Sequence, residues 1–401
     1  MALPVLVGSS ASDSFTAKCR APVWICYPAR VAVRFLHTAD WQLGKQFGTL
    51  GEAGTRLCHQ RLETVRKLAE LATEQNVDAV LVAGDIFESQ LASPATITGA
   101  VGAFQRFPGD WVILPGNHDC AEEGSVWERV RALTASPRVR FALTNEPILV
   151  AGGRMAVLPA PLTRRHEQRD LTASWDQCET PAGAFRVGLA HGCFEGEILE
   201  EAEATNPIAA GRVASAHLDY LALGDWHGTR KLSERAYYPG TPEPDRFRSN
   251  ESGGVLVVEI TSHGASPIVR RVPTGHYIWS AKDAHLQTAN DIEQLHRELG
   301  SLHSPAQQVV RLRLEGGLAL PDLVHLEERL DWWRGQFATL DLRRDQLLSR
   351  VDGSDFDAVQ PPGFVADAIA SLRASQAAGA ASAQLALEIL YQLCAAPENR
   401  P

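Results

Sequence analysis

The chain has 401 residues with 45% hydrophobic content, enough for a catalytic domain and at least one smaller one, and no long uncharged apolar run reads as a membrane helix. A formal net charge of −10 excludes a general polyanion binder, so any nucleic-acid contact must come from local basic patches or metal ions. Seven cysteines, an odd number with no Cys-x-x-Cys pair, argue against a disulfide framework or a structural zinc site and for a reducing cytoplasm.

Residues 1–30 lack a basic start followed by a long apolar core, so they read as an irregular extension and not a signal peptide. From 31 to 275, short apolar runs alternate with longer amphipathic stretches. The run at 31–36 leads into "HTADWQLG", which carries Asp40 and Gln42. "VDAVLVAGD" is almost continuously apolar, as a strand buried on both faces should be, and ends at Asp85. "WVILPGNHD" ends at Asn117, His118 and Asp119, "FRVGLAHG" at His191, and "YLALGDWHG" at Asp225 and His227. Between the first two strands, Leu62, Val65, Leu68 and Ala72 mark one face of a predicted helix. The pattern is that of a layered α/β sandwich.

After 275 the texture changes. Ile292, Leu295 and Leu299 mark a short helix closed by Gly300, and "VVRLRLEG" alternates like a half-exposed strand. Pro321 and Asp322 open a helix through Trp333, and "FATLDLR" alternates again. The expectation is a small α-β-α-β capping domain over 276–350. Leu323, Leu326, Leu330, Trp333, Phe337 and Leu340 also fit a heptad, but the stripe is short and Gly335 interrupts it. A linker, "DGSDFDAVQPPG", and two Ala-rich helical stretches, 364–378 and 383–394, fill 351–401. These tail helices either pack on the body or dock a partner.

The chemistry sits at the strand ends. Beyond the carboxyl ends of strands in an open α/β sheet, functional groups gather, so Asp40, Gln42, Asp85, Asn117, His118, Asp119, His191, Asp225 and His227 can converge. Carboxylates, carboxamide oxygens and imidazoles are ligands for hard-to-borderline divalent metals. There are enough here for two ions sharing one carboxylate, the arrangement that activates a bridging water and clamps both oxygens of a phosphoryl displacement.

"GDIFE", "GNHD", "LAHG" and "GDWHG", preceded by "HTADWQLG", resemble the motif series of calcineurin-like metallophosphoesterases. Within that superfamily the leading "DWxLG", the "GDIF" wording, the "YYPGTPEPDRF" segment and the small domain that follows resemble SbcD-type DNA repair exonucleases. The resemblance spans about 31–350 and implies a four-layer α/β/β/α sandwich with a small α+β capping domain and a C-terminal helical tail. It also implies a two-metal DNA nuclease, a homodimer, and an SbcC-like coiled-coil ATPase as partner. Matching positions assign Asp40, Asp85 and His227 to one ion, with Gln42 as a neutral or water-mediated donor. Asp85, Asn117, His191 and Asp225 go to the other. Gln42 and Asp225 stand where the family usually has histidine. The resulting oxygen-rich set suits manganese, or magnesium, better than a soft-ligand metal. His118 is assigned to the phosphate and leaving oxygen, with Asp119 orienting it and keeping it charged.

Blander readings stand beside these. His37 and Trp41 read as packed core groups; Lys45, Arg56 and Arg61 form a modest basic group near the site entrance. Lys45, Arg246 and Arg248 are candidates for DNA phosphates or for ordinary surface charge. Rival functions are a phosphoesterase for small or protein substrates, and a catalytically weak scaffold that binds DNA or the ATPase.

Overall fold

The computed structural model describes residues 32–196, 206–350 and 363–395; the expected N-terminal extension and the linker at 351–362 lie outside the described residues. Two six-stranded sheets pack face to face. The first runs in the order Ile268–Pro273, Gly254–Ile260, Val33–Thr38, Ala79–Ala83, Asp110–Leu114, Val139–Phe141. Its last four strands are mutually parallel, and the two late strands add on antiparallel. The second runs Arg230–Lys231, Ala236–Tyr238, Tyr220–Gly224, Phe185–His191, Met155–Ala160, Ile148–Val150, parallel through its centre.

The period-two alternation of a strand explains the layering. Val33, Phe35, Ala79, Leu81 and Ala83 meet Val187, Leu189, Tyr220 and Ala222 between the sheets. Leu36, Val80 and Val82 point the other way, against Val65, Leu68, Ala72, Ile97 and Trp127 on helices Glu52–Glu74, Pro94–Phe104 and Val126–Leu133. On the far face of the second sheet, Leu158, Leu221 and Leu223 pack on Trp175 and Ala216, next to a 3₁₀ turn and a single helical turn. This is the four-layer α/β/β/α sandwich, with a thin fourth layer. Trp41 joins the helix-side core, as expected.

The capping unit corrects one expectation. Strand Ile278–Leu286 precedes the first helix, so the order is β-α-β-α-β over three parallel strands. "IWSAKDAHL" buries only Leu286 completely, which is why its sequence carries no strand-like hydrophobic signal. Helices Ala289–Gly300 and Leu320–Gln336 cover one sheet face through Ile292, Leu295, Leu299, Leu326, Leu330 and Trp333. The heptad stripe is therefore a packing face: Phe337 caps the helix end and Leu340 lies on strand Thr339–Arg350. The tail helices, Gly363–Ala377 and Ala381–Ala395, bury Ile369, Leu387 and Tyr391 against Leu320.

Candidate metal centre

The loops after the first two parallel strands are zipped together. Asp40, Gln42 and Leu43 donate their N–H groups to the carbonyls of Gly84, Asp85 and Ile86 at 3.1, 2.9 and 2.8 Å. Both chains therefore leave the sheet side by side, which carries Asp40 and Asp85 to one spot. The turns after three strands are strained: Asp40, Gln42, Asp85 and Asp225 have φ of 55°, 42°, 54° and 106°, a conformation that non-glycine residues rarely hold unless surrounding structure enforces it. Close approach needs glycine alongside. A Cβ on Gly116 would lie 2.1 Å from Asp85 Oδ1, and one on Gly84 2.2 Å from His191 Nδ1.

Asp40, Asp85 and His191 are buried and offer ligand atoms all within 4.8 Å of one another. The His191 ring is oriented by Nδ1–H donation to the Ala83 carbonyl at 2.8 Å. Its Nε2 lone pair then faces Asn117 Oδ1 at 3.0 Å and one oxygen each of Asp85 and Asp225 at 3.7 Å. Asn117 Oδ1 lies 3.2 and 3.1 Å from the two Asp85 oxygens, a face of acceptors that turning the amide would convert to donation. With its oxygen inward, the set Asp85, Asn117, His191, Asp225 is a ring of lone pairs that a divalent cation satisfies. The residues fit the divalent metal that the sequence resemblance implies. Electrostatics agree. Burial first, then the charges of Asp85 and Asp225, hold the Asp40 carboxyl well above its usual range. Burial keeps His191 and His227 below the usual histidine value, against neighbouring carboxylates, and so in the neutral form that ligates metal.

The other expected ligand set is arranged differently. His227 Nδ1 lies 3.1 Å from Asp245 Oδ2, and its Nε2 faces Gln42 Nε2 at 3.2 Å. Gln42 Oε1 accepts from Lys45 Nζ at 2.7 Å, and Lys45 Nζ also reaches Asp245 Oδ2 at 2.8 Å. Burial works against charging Asp245, but His227, Lys45 and Arg61 outweigh it and hold that carboxyl well below its usual range. Gln42 and His227 are thus brought together, but as partners of each other.

Three further assignments change. Asp119 does not orient His118: its carboxylate accepts from the N–H groups of Ile86, Phe87 and Gly116 at 2.8, 3.0 and 2.7 Å. It clamps the turn that presents Asp85. Burial, then the Asp85 charge, pushes it up to about 7 in spite of those donors. His118 is positioned by the Glu88 carbonyl, 2.8 Å from Nδ1, which leaves Nε2 4.0 Å from Asp85 Oδ2. Arg61 is no entrance cation. It is fully buried and donates to the carbonyls of Trp41, Asp40 and Glu243 at 2.9, 3.2 and 3.0 Å. Lys45 points inward at Asp245 and Gln42 and is not a free surface cation. Arg56 sits on the surface and donates to the Ala338 carbonyl of the cap at 2.9 Å.

Arg246 lies on Asp245, and the Arg248 guanidinium stands 5.8 Å over the Trp226 ring. His37 is packed as expected, with Nδ1 3.0 Å from the Tyr220 hydroxyl and Nε2 3.2 Å from the Leu223 carbonyl; burial lowers its pKa to about 3. Asp245 and Glu243, both in the "GTPEPD" segment, were missed as individual residues; neither spacing nor hydropathy marks them. Glu243 takes the Thr64 hydroxyl and the N–H groups of His276 and Tyr277, which ties the sandwich to the start of the cap.

Residues 33–173 match the family described as Calcineurin-like phosphoesterase. Over those residues, about a third of the chain, the sequence is similar to that family. Among solved structures, TT1561 of Thermus thermophilus is 14% identical, covering 61% of this chain and 99% of its own, with a TM-score of 0.37. Another, 12% identical with the same coverage, has a TM-score of 0.41. No helix among the described residues is long and apolar enough to cross a membrane.

Proposed function

We propose that the protein is a nuclease of the SbcD type, hydrolysing phosphodiester bonds of DNA with manganese or magnesium in a reducing cytoplasm. The carrying observation is a cleft between sandwich and cap that opens beside Asp245, lined by Phe47, Arg246, Phe247, Trp279 and Arg311. Trp279 lies 5.8 Å from Phe47 and 4.7 Å from Phe247, and the Arg311 guanidinium stands 4.1 Å over Phe247. Aromatic faces with guanidinium groups suit stacked bases and their phosphates, at about 1–3 kcal/mol per stacked base. A compact phosphomonoester needs no such extension.

A divalent ion in the Asp85, Asn117, His191, Asp225 set would supply Lewis-acid polarisation of a phosphoryl oxygen and a water of lowered pKa. The chain's own residues do the rest. Asp119 holds the Asp85 turn through three N–H groups. His118, fixed at Nδ1 by the Glu88 carbonyl, presents Nε2 to the departing oxygen, where it stabilises developing charge and delivers a proton. An SbcC-like ATPase would dock on the tail helices, whose Phe364, Leu385 and Ile389 side chains are exposed, and the nuclease domain would pair as a homodimer.

The test is incubation with manganese and end-labelled single-stranded, double-stranded and hairpin DNA, beside a chromogenic phosphodiester. Cleavage of DNA is expected. Hydrolysis of the chromogenic diester with every DNA left intact would replace the nuclease by a small-substrate phosphodiesterase.

A further inference from the structure

We propose that the chain binds one divalent ion, not two, and that the Lys45 ammonium is the fixed positive charge at the second position. The inference rests on the metal centre described above and concerns its occupancy.

Two of the expected ligands of the second ion, Gln42 and His227, are engaged by one another, and contacts from Asp245 and Lys45 hold them so. Asp245 lies 3.1 Å from His227 Nδ1 and the Gln42 NH₂ group 3.2 Å from Nε2, and both contacts are satisfied together when Nδ1 carries the proton. The Nε2 lone pair therefore faces Gln42. Arg246 Nη2 also lies 2.8 Å from Nδ1. That contact is not a second hydrogen bond, because Nδ1 cannot donate and accept together; the guanidinium instead donates to Asp245 through Nε at 3.0 Å. Lys45 separately fixes the amide of Gln42. An ammonium 2.7 Å from Oε1 identifies that atom as the oxygen, so the NH₂ group is the one 3.2 Å from His227 Nε2. The amide donates and the imidazole accepts. A metal at this position would have to turn Gln42 against Lys45, and would stand beside an ammonium already held by a buried carboxylate.

Charges divide along the same line. Asp40, Asp85 and Asp225 cluster round the His191 side, where one divalent ion is the missing counter-charge. Asp245 belongs to Lys45 and Arg246, at 2.8 and 3.0 Å. Lys45 follows Gln42 by three residues on the same loop, which puts the ammonium within reach of the amide oxygen. A histidine at 42 would offer the ammonium no carbonyl oxygen.

The experiment counts ions without reference to cleavage. Purified full-length protein is stripped, reloaded with manganese, dialysed, and examined by elemental analysis, calorimetric titration and electron paramagnetic resonance. One manganese per chain with a mononuclear six-line spectrum is expected. In the double variant Gln42→His with Lys45→Ala, a second equivalent should bind and an exchange-coupled dimanganese spectrum should appear. Two ions with a coupled spectrum in the unaltered protein would overturn the proposal and leave the nuclease reading intact. No bound ion would overturn both. If the double variant does not fold, the stoichiometry and spectrum of the unaltered protein alone decide.

Discussion

His118 and Gly116 flank Asn117 and act on the centre in opposite ways. The His118 ring is anchored to a backbone carbonyl and stands outside the ligand ring, so His118→Ala should keep the full metal content while the turnover rate falls by about 10²–10⁴, the usual range for a general acid. Elemental analysis alongside single-turnover cleavage checks this; parallel loss of metal and rate would make His118 a ligand. Gly116→Ala adds a methyl 2.1 Å from Asp85 Oδ1 and 2.5 Å from the Asp85 nitrogen, and neither backbone nor a strained carboxylate can yield cheaply. Manganese affinity measured by calorimetry should drop at least tenfold, about 1.4 kcal/mol, with His118 untouched. Affinity equal to the parent protein would mean that Asp85 is not held where a ligand must be.

At the scale of elements, the helix Glu52–Glu74 does more than cover the sheet. Its Arg61 binds the Asp40 loop and the segment from Thr241 to Glu243, which meet nowhere near each other in sequence. Arg61→Met fills similar space but leaves buried carbonyls without a donor, which costs about 1–3 kcal/mol each at most sites. The melting temperature should fall by several degrees and manganese affinity should weaken with it, since the Asp40 carbonyl is one of the acceptors. A variant with normal melting but lost DNA binding would restore Arg61 to the entrance. The tail is a separate element. Deleting 363–401 removes a small cluster around Leu320, so a modest fall in melting temperature is expected with metal-dependent cleavage retained. Co-purification with an SbcC-like ATPase should be lost. Aggregation of the truncated chain would show that the tail's packing role dominates.

Across the whole molecule, buried carboxylates make stability depend on metal and pH together. Burial and mutual repulsion raise the folded-state pKa of Asp40, and of Asp119 to about 7, above the unfolded value of about 3.9. Between those values the folded chain holds more protons than the unfolded one. The slope of unfolding free energy with pH is then negative, and stability falls as pH rises. A chelated sample should therefore lose melting temperature from pH 5 to pH 8 more steeply than a manganese-loaded one, because the ion supplies the counter-charge that protons otherwise provide. Scanning calorimetry with and without chelator checks this; parallel curves would mean that the carboxylates do not share a cation.

What the sequence determined by itself was the sandwich and the cast of the centre. Strands buried on both faces are continuous apolar runs, and the chemistry of an open α/β sheet lies beyond their carboxyl ends, so Asp40, Asp85, Asn117, His191, Asp225 and His227 were legible as short-range signals. The strand Ile278–Leu286 was not, because edge pairing in a half-exposed cap sheet leaves no hydrophobic period. Nor was the partnership of each polar group. Whether Lys45 faces DNA or Asp245, whether Asp119 supports His118 or the Asp85 turn, and whether Arg61 is a surface cation or a buried clasp are decided by which loops the fold sets side by side. A charged side chain of given type satisfies itself with whatever partner lies within about 3 Å; contacts such as Lys45 with Asp245 and Arg61 with Glu243 join positions some two hundred residues apart, and no local pattern encodes that distance.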